Sequence, residues 1–561
     1  MNITCLQGKK FKVFSAGLVI LGGILISLFN HWEPSGESWG YWFFAKIFAQ
    51  TGKFIISDRS PLYTLYLNLF SWLGYPSSVI IEYVVTSAIV IFSLAALFRK
   101  YLGLGLAVFA SLLWLPFLQV AEPPVQKLAL ACSCLAILAR GGSGRNSFYQ
   151  VVSYALLGLA YLFRCTYLLM IIIFVSWDVF KVIKYKGIRV LVSALRPRLI
   201  YWPVIIVILL FSFFHLNQST HPWNNTYVTS AKWFPNRGKI LSEASFLQNM
   251  NWIAIEDRYG TFGGKDYYFT NQEFFGGANT ASGMVRANPK LIGRLLLINT
   301  KNLLPIALRL SDAFKIYLKL PLGYPAGLPG FLLSAALFAG ILIGAFRAAK
   351  DESMALFMLA NTALVCATIL SLPKIRYDVP LIPVFILSAY WYGAKLRYKI
   401  ISWSGSFVSK VKQRLSLSLT IFCLPLAVIF FSNGLSYWLH IIAGLAGDLT
   451  RREVKVLEAP GCMKGSFSQI NELTKNCEGM MALESTFIGA FTGIPADRIY
   501  DVWEIPPFGQ LDNSVYNGLT PERINCLFIS SELKTGVGFA SNYQIRYQNF
   551  IRPYKEKLQG L

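Results

Sequence analysis

The chain has 561 residues, 55% hydrophobic, 15% aromatic and only 14% charged, with a mean hydropathy of +0.49. A soluble chain carries about 25% charged residues, whereas here apolar runs of about 20 residues recur, each long enough to cross roughly 30 Å of hydrocarbon. That excludes an ordinary soluble protein. The net charge of +24 would suit nucleic acid, but its placement excludes that partner, because the basic residues fill short connectors between apolar runs, as cytoplasmic loops do.

Apolar runs predict eleven spans, near residues 13–30, 76–98, 103–120, 126–140, 148–163, 166–182, 199–216, 325–346, 353–372, 379–396 and 416–440. The first resembles a signal sequence, but His31-Trp32-Glu33-Pro34 follows instead of a small-residue cleavage site, so it reads as an uncleaved helix. With a cytoplasmic N-terminus, strict alternation puts every basic connector inside: Lys9 to Lys12, Arg99-Lys100, Arg140 to Arg145, Lys181 to Arg198, Arg347 to Lys350 and Lys395 to Arg414. The polar segments left outside are 32–75, the stretch around Glu122, 217–320 and the tail 447–561.

Trp39–Gln50 reads as a short amphipathic interfacial helix, ended by Gly52, with Pro61 opening a second that covers Tyr63–Leu73. Asn302–Leu310 is expected to lie along the membrane. The expected architecture is therefore an all-α polytopic membrane domain, 1–446, with external interfacial helices. A small extracytoplasmic α/β domain, 447–561, follows, with β-like runs such as Cys526–Ile529. The localisation it implies is a plasma (inner) membrane.

Nine cysteines show no metal-ligand spacing. Cys132 and Cys134 point to different helix faces, and Cys462 with Cys477 is a disulfide candidate if the tail faces an oxidising compartment. The four histidines are scattered.

Carboxylates near the bilayer are the chemically informative residues. Glu37 falls at a helix N-terminus, where the dipole favours an acid; Asp58-Arg59 precede the next helix, and Glu122 stands at the external start of a span. Such a set suggests one group acting as a base while others bind a metal or phosphate.

The pattern of Glu37, Tyr41, a helix, Gly52 and then Asp58-Arg59-Ser60-Pro61-Leu62-Tyr63 resembles the first external loop of the GT-C glycosyltransferases. These enzymes use polyprenyl-phosphate sugars and include the protein O-mannosyltransferases and the lipid A aminoarabinose transferases. Gly158-Leu-Ala-Tyr-Leu-Phe-Arg164 and Lys374-Ile-Arg376-Tyr377-Asp-Val-Pro380-Leu-Ile-Pro383 resemble later motifs of the same family, in the same order. Glu37 stands where the family usually has Asp, and Ser60 replaces the first Pro of a Pro-Pro-Leu-Tyr motif.

The resemblance implies inverting transfer of a sugar from a polyprenyl-phosphate donor to a protein, lipid or glycan acceptor at the external face. Glu37 would be the base, with Asp58 and Glu122 as further catalytic groups. Arg59, Arg164, Arg376 and Tyr377 would hold the donor phosphate. Asp58 and Glu122 are also the candidates for a divalent cation, Mg²⁺ or Mn²⁺. Two other readings compete: a transporter or flippase of lipid-linked sugar, and a scaffold whose site has decayed. In the external segment, Glu256-Asp257-Arg258-Tyr259 and the Gly-rich run from Phe262 to Gly277 would close over the site or select the acceptor, against a plain mobile loop.

Overall fold

The computed structural model describes residues 3–28, 36–54, 60–74, 77–115, 125–142, 147–186, 273–278, 280–308, 328–370 and 379–402, together with three strands and a few isolated positions. The helices are α1 (Ile3–Leu28), α2 (Gly36–Thr51), α3 (Pro61–Ser71), α4 (Ser77–Leu113), α5 (Val125–Gly142), α6 (Ser147–Phe163) and α7 (Leu168–Lys186). They continue as α8 (Ala281–Ala287), α9 (Pro289–Leu308), α10 (Leu328–Ala348), α11 (Glu352–Cys366) and α12 (Ile382–Ser402). Short 3-10 turns sit at Cys165–Tyr167, Ala367–Leu370 and Val379–Leu381.

Among the described residues, Ser77–Leu113 and Glu352–Leu370 are long and apolar enough to cross a membrane, and Lys12–Ile26, Phe148–Phe163 and Phe338–Ala348 are shorter apolar helices. The 37 residues of α4 would extend about 55 Å if straight. They are not straight: Gly103 has φ 74° and ψ 168°, which breaks the helix at the boundary expected between two spans. The expected runs at 199–216 and 416–440 lie outside the described residues, apart from isolated helical positions.

The main core lies where α4, α5 and α6 pack together and α10 packs on α12. Outward apolar side chains complement it. On α1, Ile20 and Ile24 are buried while Phe14, Leu18, Leu21 and Leu25 are exposed. Such a stripe is stable against lipid and costly against water.

One end of the bundle is joined by charge. Lys100 Nζ lies 2.5 Å from Asp351 Oδ2, and Lys181 Nζ 2.5 Å from Glu352 Oε1. Arg140 pairs with Asp178, which also accepts from the Tyr154 hydroxyl at 2.5 Å. At the opposite end Asn299 Nδ2 donates to Ile369 O at 2.9 Å and Trp438 Nε1 to Leu112 O at 3.1 Å. Lys100, Arg140, Lys181 and the Arg347–Lys350 connector therefore share one end of the helices, as alternation requires.

The segment expected to begin near Asn302 starts earlier, as the 20-residue α9. Ile292, Leu295 and Asn299 are its buried face, a helical spacing that the apolar Leu296, Leu297 and Ile298 between them obscure in sequence. In the tail, β1 (Met480–Ala482), β2 (Ile499–Asp501) and β3 (Cys526–Phe528) form a parallel sheet of order β2-β1-β3. Cys462 and Cys477 lie outside the described residues.

Candidate active site

The site is built from α2, α3, the first turns of α4 and α5, and the end of α6. Glu37 is the second residue of α2, and its side chain lies outside the described residues. Tyr41 to Ala45 are all buried. This differs from the surface-lying amphipathic helix expected: a run with no charge between Gly40 and Ala45 can be enclosed on every side, and it is. Gly52, at φ 67°, donates its N–H to Phe48 O at 2.8 Å and stops the helix.

Ser60 then starts α3 and fastens it elsewhere. Its Oγ accepts from Tyr63 N at 3.2 Å, as an N-cap, and donates to Leu162 O at 2.6 Å. Phe54 and Leu162 bury each other in a small cluster with Phe48, Leu62 and Tyr161. The residue that follows Asp58-Arg59 in sequence is thus bonded to Leu162, two residues before Arg164, in the last turn of α6. Arg164 itself is half-buried, and its N–H continues the helical pattern to Ala160 O at 2.8 Å.

The inner side of α3 meets α4 through polar groups. The Tyr63 hydroxyl donates to Glu82 Oε1 at 3.1 Å, and the Thr86 hydroxyl donates to the same oxygen at 2.6 Å. Tyr66 Oη is 2.8 Å from Thr86 Oγ1. Tyr41 of α2 meets the Tyr63 ring edge-on, centroids 5.0 Å apart. Burial, then the charge of Glu82, raises the Tyr63 phenol well above its ordinary range, and the same two causes raise Tyr66. Burial lowers the Lys46 ammonium of α2 to about 8.

Further polar groups gather at this end. Lys127, only 3% exposed, places Nζ 6.0 Å from the Tyr83 ring centroid. Buried Ser78 Oγ and Gln126 Nε2, in the first turns of α4 and α5, have no hydrogen-bond partner. Orphaned donors of this kind are suited to an incoming polar ligand.

Of the residues singled out from sequence, Asp58, Arg59, Glu122, Arg376 and Tyr377 lie outside the described residues. The Val379–Leu381 turn that follows Tyr377 packs against α5 and α11. Among the described residues no three His, Cys, Asp or Glu side chains group as metal ligands. Within the segment expected to be external, Met250, Ile253, Phe275 and Met284 are buried in a small cluster, and Arg258 lies 3.6 Å from Glu273. Sequence reasoning missed Glu82 and Lys127; a charged residue inside an apolar run was the available signal.

No family model and no curated protein matches the chain. Three solved structures are similar to it. One is the archaeal oligosaccharyltransferase AglB from Archaeoglobus fulgidus in complex with an inhibitory peptide and a dolichol-phosphate, at 14% identity and TM-score 0.37, covering 86% of this chain and 64% of that one. The second is the Archaeoglobus fulgidus oligosaccharyltransferase tethered to an acceptor peptide, at 12% identity and TM-score 0.40, covering 86% and 63%. The third is ArnT from Cupriavidus metallidurans bound to undecaprenyl phosphate, at 15% identity and TM-score 0.41, covering 92% and 89%. The chain thus spans less than two thirds of the length of either oligosaccharyltransferase. At such identities and TM-scores none of them fixes what this chain binds.

Proposed function

We propose that the chain is an integral-membrane glycosyltransferase with about 11 spans, moving a sugar from a polyprenyl-phosphate donor to an acceptor at the extracytoplasmic face. The observation that carries this reading is the Ser60–Leu162 hydrogen bond at 2.6 Å. It ties Ser60, the N-cap of α3 and the residue after Asp58-Arg59 in sequence, to the last turn of α6, which Arg164 follows; on this reading Arg59 and Arg164 act together on the donor phosphate. Paired guanidinium forks match phosphate oxygens better than single ammonium charges do.

In the reaction, the acceptor heteroatom attacks the anomeric carbon while the bond from that carbon to the phosphate oxygen breaks. The bonding pair leaves on polyprenyl phosphate, and Glu37 takes the acceptor proton. Arg59, Arg164, Arg376 and Tyr377 stabilise the phosphate as its charge grows. Asp58 and Glu122 orient the acceptor. Their carboxylates are also of the type that hold Mg²⁺ or Mn²⁺, which would add positive charge beside the phosphate. The parallel sheet of the tail supports a separate small α/β domain over 447–561, since parallel strands need long crossovers. The ion-paired end of the bundle supports its orientation toward the cytoplasm.

The test is Glu37→Gln in nanodiscs supplied with a panel of polyprenyl-phosphate sugars. Loss of the base lowers release of free polyprenyl phosphate by about 100- to 10,000-fold, while donor binding persists. A transporter or scaffold would be indifferent to this change.

A further inference from the structure

We propose that the outward face of α8 and α9, carrying Arg286, Lys290 and Arg294, is a docking surface for anionic phospholipid headgroups of the outer leaflet. The inference goes beyond sugar transfer and takes from the reading above only that α9 lies at the extracytoplasmic end of the bundle.

From Phe274 to Ser311 the sequence holds no acid, and its bases are Arg286, Lys290, Arg294, Lys301 and Arg309. Basic residues in short loops mark the cytoplasmic side, but a segment as long as 217–320 is translocated whatever its charge. Topology therefore does not account for these cations.

The fold sets three of them on the side away from a core. Met284 of α8 and Ile292 and Leu295 of α9 are buried in one cluster with Phe275. Residues two apart on a helix differ by about 200°, so Arg286 stands opposite Met284, and Lys290 opposite Ile292. Lys290, Arg294 and Leu297 follow at spacings of four and three and form one stripe of α9. All of them are exposed, Leu297 at 54%. Among the described residues neither Arg286 nor Lys290 pairs with an acid.

The joint between the two helices is built rather than loose. Asn288 Oδ1 accepts from Leu291 N at 3.1 Å, capping α9, and its Nδ2 donates to Phe274 O at 3.2 Å. The cations are thus carried on a fixed surface.

Position and composition select lipid as the occupant. Helix α9 packs on α10 and on the Ala367–Leu370 turn that ends the span beginning at Glu352. Asn299 Nδ2 fastens it there, donating to Ile369 O at 2.9 Å. The stripe therefore starts at the membrane boundary. Exposed Val285 and Leu297 lie among the cations. Apolar side chains beside fixed positive charge suit the headgroup layer, where the former enter the acyl region and the latter meet phosphate. A soluble polyanion would leave both apolar side chains in water.

The test places p-benzoylphenylalanine, a photo-crosslinker, at position 297 of the full chain. The protein is reconstituted in nanodiscs of equal phosphatidylglycerol and phosphatidylcholine, irradiated, and weighed intact by mass spectrometry. Phosphatidylglycerol adducts exceed phosphatidylcholine adducts about fivefold, the preference that one cation confers near an anionic headgroup. The ratio falls to about one in Arg286→Gln/Lys290→Gln/Arg294→Gln, and in about 1 M salt. The same crosslinker at position 109, exposed in the apolar second half of α4, gives equal adducts in both backgrounds and shows that the triple variant is folded.

Equal adducts at position 297, or an unchanged ratio in the triple variant, overturn the inference. Crosslinking to dextran sulfate in preference to lipid, in a parallel sample containing both, assigns the stripe to a soluble polyanion and overturns it too. Labelling of Lys184→Cys from outside intact cells overturns the orientation read above and leaves the preference for the anionic headgroup standing. None of these readouts depends on sugar transfer.

Discussion

Lys100 and Asp351 face each other at 2.5 Å across 251 positions of sequence, joining the break in α4 to the first turn of α11. Asp351 does two things there. Its Oδ1 accepts from Met354 N at 2.8 Å as the N-cap of α11, and Oδ2 meets the ammonium. Both side chains are well exposed, so the cap outweighs the ion pair. Asp351→Ala is expected to cost about 1 kcal/mol through the lost cap. Asp351→Asn keeps the cap, and Lys100→Ala removes only an exposed pair, worth about 0 to 1 kcal/mol. Detergent unfolding of the three variants checks the order.

The contact between α10 and α12 depends on two small residues. A Cβ added at Gly344 would come within 2.6 Å of both Ser388 Oγ and Tyr392 Cε2. The Tyr392 hydroxyl donates to Gly340 O at 2.8 Å, one turn away on the same helix. This spacing of small residues lets two helices approach closely in lipid. Gly344→Ala is expected to destabilise by about 1 to 3 kcal/mol, whereas Gly17→Ala, with nothing within 4 Å of its Cβ, is silent. Thermal unfolding in one detergent compares them.

Lys46 sets a pH dependence with a definite sign. Its ammonium is lowered from 10.5 to about 8 by burial, so between those values the unfolded chain binds more protons than the folded one. Stability contributed by this group therefore rises with pH across that window, and below about 8 the fold carries the full penalty of the buried charge. Unfolding between pH 8 and 10 should show the increment in wild type and lose it in Lys46→Met. The upper part of the window overlaps the ordinary tyrosine value of 10.0, where the raised phenols of Tyr63 and Tyr66 act in the opposite direction, so the difference between wild type and Lys46→Met isolates the lysine.

Orientation is open to chemical labelling. A membrane-impermeant maleimide applied to intact cells is expected to modify Thr280→Cys and to spare Lys184→Cys, with the pattern reversed in inside-out vesicles. Labelling of both from one side would contradict the alternation of spans.

Much of this was legible before any coordinates. Gly52 and Pro61 bracket α2 and α3 because one tolerates a left-handed backbone and the other suits a helical first turn. The break at Gly103 falls where Arg99-Lys100 interrupt an apolar run. Glu82 was hidden by those same apolar neighbours, since hydropathy averaging absorbs a single acid. What pairs with it depends on tertiary contact, and nothing within α3 alone announces that Tyr63 bonds Glu82 directly and Tyr66 through Thr86. The enclosed position of Tyr41 to Ala45 was likewise beyond a pattern that fits an interfacial helix equally well.

The lipid that travels with the purified protein tests the central claim most directly. Native mass spectrometry of protein extracted from its own membrane should find polyprenyl phosphate, with or without a sugar, bound one-to-one to wild type. Glu37→Gln should retain the glycosylated form, and Arg59→Ala/Arg164→Ala should lose both. Bulk phospholipid alone in wild type, or polyprenyl phosphate held equally well without the two arginines, would contradict the account.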